Sequence, residues 1–375
     1  MKPRVVILGA GFGGLELSTA LSEALGTSID ITLIDQADHF IFGFAKLDML
    51  FGRTTEDAER LPYSAFTKPG VRLVRETVTA IDPETRRVTT NAGTHDADYL
   101  VIALGADYDV SATPGITLGE NEFYTVAGAM HLRDVLPRFK AGHAVIGVCH
   151  APFKCPPAPS ECALMLHDYL QDRGVRDACT ITLVLPLSAP VPPSPDTSKA
   201  LVAAFEERGI KLILTRKVTA VRGKTVILDD NTELPCDLFL GVPRNRAPDV
   251  VVATGMTQDG WVTIDPRTLE TKFPNVWAVG DLANTGAPKA GVFAEKAAAA
   301  LAKRIVSRVQ GEEPTAKNPG AGICYIEFGK GLVARVDADF FSGPAPTGIY
   351  TAPSAEVAAF KQSWSAALSK RWFSR

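Results

Sequence analysis

Two turns of this chain carry residues that could bind a nucleotide or handle electrons. In the first turn, Gly9, Gly11 and Gly14 have the G-x-G-x-x-G spacing directly after a predicted strand. Such a turn brings backbone N–H groups close to a pyrophosphate at the positive end of the following helix. Asp35 follows about 20 residues later, where an acidic side chain accepts from a ribose hydroxyl. This set predicts an adenine-dinucleotide site.

The second turn follows the predicted strand 144–148 and lacks these glycines. It reads GVCHAPFKCPPAPSE, with Cys149 and Cys155 where a second fingerprint would stand. We therefore expect that no nicotinamide nucleotide binds here. A cysteine thiol is expected at the position where that nucleotide would donate a hydride. Cys155 precedes Pro156 and Pro157, so it lies on a rigid, non-helical turn. A helix is predicted to begin just after it, and the positive end of that helix is expected to lower the thiol pKa.

Length and composition exclude several classes of protein. The 375 residues suffice for two or three domains, and 46% hydrophobic residues can fill their cores. A net charge of −3 without runs of like charge predicts no nucleic-acid partner. We find no signal peptide and no stretch of the roughly 18–20 apolar residues that span a membrane. We expect a cytoplasmic protein, either free or peripheral on the inner face of the cell membrane, with its cysteines as thiols unless they are catalytic.

The predicted elements alternate between strand and helix, which is typical of an α/β fold. The first group is strand 4–8, helix 13–25, strand 29–35 and strand 98–103, completed later by strand 276–279 and helix 291–309. The second group is strand 144–148, helix 160–174, strand 180–185, a proline-dense loop that includes Pro186 and Pro195, and helix 199–208. A hairpin-like segment from Cys324 and a helix over 356–372 close the chain. Because proline cannot continue a helix or a central strand, the loop is expected to stay irregular as far as Pro195.

The order of the motifs resembles the flavoproteins with two dinucleotide-binding domains over nearly the whole chain. After the glycine fingerprint come LVIALG, ending at Gly105, AVGDLAN, with Gly280 and Asp281, and PKAG, with Lys289. The resemblance implies two Rossmann-like domains. An FAD-binding domain would take 1–107 and 245–318, and a degenerate NAD-type domain inserted in it would take 108–244. A C-terminal hairpin and amphipathic helix would take 319–375.

The same resemblance implies FAD as the cofactor. Its binding residues would be Gly9, Gly11, Gly14, Asp35, Gly105, Gly280 and Asp281. Lys289 would place a positive charge near the flavin and stabilise its reduced anion. Alternatively, Lys289 is a solvated surface lysine.

Two cysteine-bearing motifs narrow the resemblance further. KCPPAPSE at 154–161 and GICYIEFG at 322–329 are similar to motifs of sulfide:quinone oxidoreductases and of the flavoprotein subunit of flavocytochrome c sulfide dehydrogenase. The resemblance implies that Cys155 and Cys324 form a redox disulfide. Sulfide, a small thiol or a polysulfide would give electrons through it to FAD, and a quinone would take them. This chain departs from that family at Ser160, where the family commonly has an aromatic residue, and the departure concerns the shape of the substrate pocket.

Several residues keep two interpretations. Glu161 is either an acid/base for the proton of bound hydrosulfide or a first-turn carboxylate of its helix. Cys149 is either reactive or a buried strand end, while Cys162, Cys179 and Cys236 are interpreted as packing residues. His131 and His150 are either general bases or partners in local hydrogen bonds. The cysteine and histidine spacings around Cys155 match no familiar zinc pattern, so no metal is predicted.

The last predicted helix is amphipathic and basic. Its apolar positions are Val357, Phe360, Trp364, Leu368 and Trp372, and its basic ones include Lys361, Lys370, Arg371 and Arg375. Such a helix can lie on a membrane surface near a quinone, cover the protein's own core, or form a contact in a homo-oligomer. These three interpretations stay open at this point.

Two other functions also stay open. A type II NADH:quinone dehydrogenase shares the expected fold but would require a second glycine fingerprint. A non-catalytic electron-transfer or redox-sensing flavoprotein that acts with a partner protein would show no turnover with sulfide.

Overall fold

The computed structural model describes residues 2–373. Its first layer is a parallel sheet whose strands lie in the order Val276–Ala278, Tyr99–Ile102, Arg4–Leu8, Asp30–Asp35 and Val71–Arg75. The helices Phe12–Leu25 and Gly291–Gln310 cover one face of this sheet. On the other face lies an antiparallel sheet of strands Val78–Asp82, Arg87–Thr90 and Gly93–Asp96. Because both faces are covered, the central strands Arg4–Leu8 and Tyr99–Ile102 are runs of mainly apolar residues, whereas the edge strand Val71–Arg75 is interrupted by arginine.

A second parallel sheet repeats this arrangement. Its strands lie in the order Ile210–Leu214, Cys179–Leu185, Gly142–Val148 and Leu238–Val242. The helices on one face are Val126–Val135, Ala158–Asp172 and Pro195–Glu207. The antiparallel strands Val218–Arg222, Thr225–Leu228 and Glu233–Pro235 cover the other. The predicted α/β class is confirmed, while the exact domain boundaries stay a prediction.

Short elements connect these layers. The strands are His39–Phe40 with Leu61–Pro62, Asp107–Asp109 with Arg244–Arg246, and Thr257–Gln258 with Trp261–Val262. The short α-helices are Ala45–Leu50, Glu56–Glu59 and Asp249–Val252. The 3-10 turns are Gly26–Ser28, Tyr63–Ala65, Val110–Ala112, Leu136–Arg138 and Arg176–Ala178.

The proline-dense loop ends earlier than predicted. Pro195 is the first residue of the helix Pro195–Glu207, which we expected to begin only at Lys199. The first helical position needs no N–H donor, and the fixed φ of proline already suits a helix there. The expectation that Pro195 belongs to the loop is therefore wrong.

The C-terminal region is an antiparallel sheet followed by a helix. The strands are Ala321–Gly329, Leu332–Asp339 and Thr347–Ser354, and the C-terminal helix is Ala355–Phe373. Of the predicted basic positions, Arg375 lies outside the described residues. Within residues 2–373, no helix combines the length and the apolar character needed to cross a membrane.

The end of the C-terminal helix packs on the protein's own core. Trp372 is fully buried, with its ring 5.8 Å from that of Phe12 and 5.6 Å from that of Phe40. Its indole N–H donates to Glu16, which also accepts from the Arg371 guanidinium at 2.8 Å. The core interpretation therefore holds for this end of the helix.

We expect Trp372→Ala to lower the free energy of unfolding by about 3–5 kcal/mol, because it removes a fully buried ring and leaves Glu16 with one donor fewer. Phe360 lies on the same helix but is 52% exposed, so Phe360→Ala should cost under about 0.5 kcal/mol. Chemical denaturation of both variants measures the difference. Equal losses for the two would mean that the helix does not depend on its buried end.

Candidate active site

A cavity of ≈ 320 Å³ lies beyond the carboxyl ends of strands from both parallel sheets. In open α/β sheets this is the usual place for a ligand. The C-terminal sheet and the C-terminal helix complete its wall. The cavity brings together these predicted site residues: Gly11, Gly105, Cys155, Glu161, Gly280, Asp281, Lys289 and Cys324.

The three glycines of the first turn have two different roles: Gly9 and Gly14 allow the turn itself, and Gly11 faces the cavity. A Cβ atom on Gly14 would lie 1.9 Å from the carbonyl oxygen of Gly9, and Gly9 itself has a φ of +97°. These two glycines therefore allow the tight turn, although they are outside the cavity lining. A Cβ atom on Gly11 would meet nothing within 4 Å, because Gly11 faces open space in the cavity. That open side fits the phosphate cradle expected of this turn.

Asp35 lies at the end of the neighbouring strand and is also outside the cavity lining. Its carboxylate accepts from the N–H of Ala10 at 2.7 Å and from that of Ala37 at 2.8 Å. The hydrogen bond from Ala10 to Asp35 thus connects the glycine turn to the end of the second strand. Its role toward a ribose stays a prediction.

Positive charge surrounds Asp281 at one end of the cavity. The Lys289 ammonium donates to the Asp281 carbonyl at 2.7 Å and lies 3.5 Å from the centre of the Trp261 ring. Burial lowers the pKa of Lys289 to about 8. Burial raises the pKa of Asp281, and Lys154 and Lys46 oppose that rise together with Lys289. Sequence reasoning missed Lys46 and Lys154, although Lys154 directly precedes the motif cysteine.

Cys155 has an unusual backbone that nearby hydrogen bonds maintain. Its φ is +48°, in the left-handed region that residues with a side chain seldom adopt. Its N–H donates to the Lys289 carbonyl at 2.8 Å, and the Tyr124 hydroxyl donates to the Lys154 carbonyl at 2.8 Å. Cys324 reaches the same cavity from the strand Ala321–Gly329. The described residues include every cysteine, and each is a free thiol, so the predicted disulfide is not present in this form.

The expected low pKa of Cys155 is wrong. Burial raises its pKa, and the nearby Glu161 and Cys324 raise it further. Burial and Glu161 likewise raise the pKa of Cys324 to about 12. The helix that was expected to stabilise a thiolate begins only at Ala158, and removal from water outweighs its positive end.

Glu161 has the predicted first-turn position and also lies in the cavity, while its acid/base role stays a prediction. It lies in the first turn of the helix Ala158–Asp172, yet it also lines the cavity and is only 3% exposed. One of its oxygens accepts from the backbone N–H of Glu327 at 3.0 Å. Burial raises the pKa of Glu161 to about 7. A carboxyl group with this pKa can take up or release a proton at neutral pH.

The apolar end of the cavity was missed in the sequence. Trp364 lies there, with its ring nearly parallel to that of Phe12 at 6.4 Å and tilted against those of Phe44 and Tyr325 at 6.3 Å. Ile323 completes this side. The available signal was that Ile323 and Tyr325 flank Cys324, and that Trp364 belongs to the apolar stripe of the last helix.

The remaining candidates lie elsewhere in the described chain. Cys149, Cys162, Cys179 and Cys236 are buried in the hydrophobic cores and do not line the cavity. Ser160 is fully buried beside Glu161, also outside the lining. His131 is exposed and His150 half-buried, and neither contributes to the cavity wall.

Residues 3–300 match the family described as pyridine nucleotide-disulphide oxidoreductase. The chain belongs to this family. The protein is therefore an oxidoreductase and an FAD-binding flavoprotein, as the sequence predicted. The open side of Gly11 and the glycines that bend the turn fit such a cofactor.

Two related proteins and one solved structure of a relative match most of the length of this chain. The sulfide-quinone reductase of Aquifex aeolicus is 29% identical over 369 residues, which are 91% of this chain and 83% of the relative. The mitochondrial sulfide:quinone oxidoreductase of Mus musculus is 24% identical over 364 residues, or 92% and 79% of the two chains. The X-ray structure of the Aquifex aeolicus sulfide:quinone oxidoreductase gives a TM-score of 0.86 at 24% identity, covering 100% of this chain and 93% of that one. These matches confirm the expected resemblance and the fold.

Proposed function

We propose that this protein is an FAD-dependent sulfide:quinone oxidoreductase that uses Cys155 and Cys324 as its redox pair. The observation that carries the proposal is the shared cavity. Two thiols from distant parts of the chain, a buried carboxyl group and the glycine turn all line it. The two relatives that match most of the chain bear the corresponding name.

The pair would cycle between the free thiols seen here and a disulfide. Hydrosulfide attacks one sulfur of the disulfide, so that an S–S bond to the substrate forms and the bond between Cys155 and Cys324 breaks. The released cysteine leaves as a thiolate, and the other cysteine carries the substrate sulfur as a persulfide. A second hydrosulfide then attacks the outer sulfur of the persulfide and leaves as a hydrodisulfide, so that both cysteines become thiols and hold the electron pair. Glu161 takes the proton of the hydrosulfide. Bound FAD supplies the electron-accepting chemistry for this pair.

The cavity has one positively charged end and one apolar end, which suit an anionic group and a quinone ring respectively. Lys46, Lys154 and Lys289 surround the polar end, where an anionic group is stabilised. At the other end, Ile323 and Trp364 offer an apolar slot for the ring of a quinone. Phe360 is exposed on the helix that carries Trp364, which favours contact of this side with a membrane surface.

The second turn supports this function over an NADH dehydrogenase. The N–H of Lys154 donates to the Asn245 side chain at 2.9 Å, and the N–H of Cys155 donates to the Lys289 carbonyl at 2.8 Å. A phosphate-binding turn needs its N–H groups free to point at the ligand. Here both groups are already used inside the protein.

Stopped-flow mixing of the FAD-loaded protein with sulfide and with NADH, side by side, tests the proposal. We expect sulfide to bleach the flavin absorbance at least about 100-fold faster than NADH, and a soluble quinone to restore it. Faster bleaching by NADH would establish the dehydrogenase instead. Bleaching by neither would favour an electron-transfer protein that needs a partner.

A further inference from the structure

A cluster of buried charges lies directly behind Glu161. The Lys361 ammonium donates to the Glu327 carboxylate at 2.8 Å, and Arg53 lies 3.5 Å from the other oxygen of that carboxylate. Arg53 also lies 3.5 Å from Asp48. Glu161 joins this cluster through the backbone N–H of Glu327. Three carboxyl groups thus share two cations.

The members of the cluster come from four separate parts of the fold. Glu161 belongs to the helix that follows Cys155, and Glu327 to the strand that carries Cys324. Asp48 belongs to the short helix Ala45–Leu50. Lys361 is 9% exposed and reaches the cluster from the C-terminal helix. It lines the cavity together with Glu161.

Lys361 is the buried cation of the cluster, whereas Arg53 is partly exposed to water. Buried carboxylates without compensating charge are costly, so loss of the ammonium would favour a proton on one of them. Of the three carboxyl groups in the cluster, Glu161 is the one that lines the cavity beside the thiols. Its neighbours there are Cys155, Cys324 and Tyr124, none of which supplies a positive charge.

The directions of the pKa shifts agree with this geometry. Burial raises the pKa of Glu161, Lys361 opposes the rise most strongly, and Glu327 and Asp48 reinforce it. Burial would lower the pKa of Lys361, but Glu161 and Glu327 outweigh burial and raise it. The ammonium therefore stays charged where it faces Glu161.

We propose that Lys361 is a positioning residue that keeps Glu161 available as a proton acceptor. The sulfur site then depends on docking of the C-terminal helix, because that helix carries Lys361. The charge effect follows from the cluster alone, and its consequence for catalysis rests on the proposed function. The same helix contributes Trp364 to the apolar end of the cavity. The C-terminal helix thus contributes both the cation near Glu161 and one wall of the apolar slot, and undocking it would remove the two together.

Infrared titration of the Glu161 carboxyl group in the FAD-loaded protein tests the proposal without turnover. The difference spectrum against Glu161→Gln identifies its C=O band. We expect Lys361→Met to move the midpoint of the band upward by about one pH unit or more, because the favourable charge is lost. Glu327→Gln should move it downward, because a like charge is removed and Lys361 is freed toward Glu161. A general loosening of the site would not move the two variants in opposite directions.

Two further variants serve as controls. Lys361→Arg keeps the charge and should leave the midpoint within about half a unit of the wild type. Lys370→Met removes the same charge from an exposed position of the same helix and should not move it. An unmoved midpoint in Lys361→Met, or shifts of Lys361→Met and Glu327→Gln in the same direction, would overturn the proposal. If Lys361→Met fails to fold, an unmoved or raised midpoint in Glu327→Gln overturns it equally.

The sulfide reaction then separates this proposal from the proposed function. The rate of flavin bleaching by sulfide should follow the infrared midpoints of the variants as pH is varied. Absence of any sulfide reaction, with the infrared shifts as expected, would refute the proposed function and leave the role of Lys361 intact. Midpoints that stay fixed while sulfide still bleaches the flavin would refute the role of Lys361 alone.

Discussion

Serine in place of Cys155 or Cys324 should leave FAD bound and remove nearly all reduction of the flavin by sulfide. The disulfide requires both sulfurs, so each single replacement eliminates the bond that hydrosulfide attacks. Stopped-flow bleaching of the flavin in each variant measures the loss. A rate above about a tenth of the wild type, a difference of roughly 1.4 kcal/mol in barrier, would exclude the pair as the entry point for electrons.

Cys149→Ser is the matched control for these two variants. Cys149 lies in the same turn region, but its thiol is buried in another hydrophobic core and does not line the cavity. We expect this variant to bleach with sulfide within about twofold of the wild-type rate, a difference of less than about 0.5 kcal/mol. A large loss would mean that the turn itself, rather than a specific thiol, determines the rate.

Alanine at Gly11 should abolish tight FAD binding while the apoprotein still folds. The added methyl group meets no protein atom within 4 Å, so it occupies cavity space that the fingerprint would offer to a phosphate. We expect the affinity for FAD to fall by about 100-fold, or roughly 2.7 kcal/mol. Titration of the apoprotein with FAD, followed by fluorescence, measures this change.

Gly14→Ala separates cofactor binding from folding. Its methyl group would lie 1.9 Å from the Gly9 carbonyl oxygen, so the turn must shift even without a cofactor. We expect this apoprotein to lose about 1–3 kcal/mol of unfolding free energy, unlike Gly11→Ala. If Gly11→Ala bound FAD normally, this turn would not be the phosphate site.

Local patterns in the sequence were sufficient for the fold class, the family and the cofactor. A glycine fingerprint works through neighbouring backbone atoms, so its spacing alone reveals the turn between a strand and the helix Phe12–Leu25. Strands buried on both faces are runs of apolar residues, which the sequence shows directly. Local reasoning failed at Pro195, because the exemption for the first helical position depends on where the helix begins.

Only the tertiary structure decided what surrounds each reactive group. The sequence singled out Cys155, Cys324 and Glu161, but their common cavity depends on how the second sheet and the C-terminal sheet pack together. Burial then reversed the expected pKa shift of Cys155. Lys361 became a neighbour of Glu161 only because the C-terminal helix folds back over the cavity. Desolvation and Coulomb interactions depend on distances in space, and residues far apart in the chain set those distances.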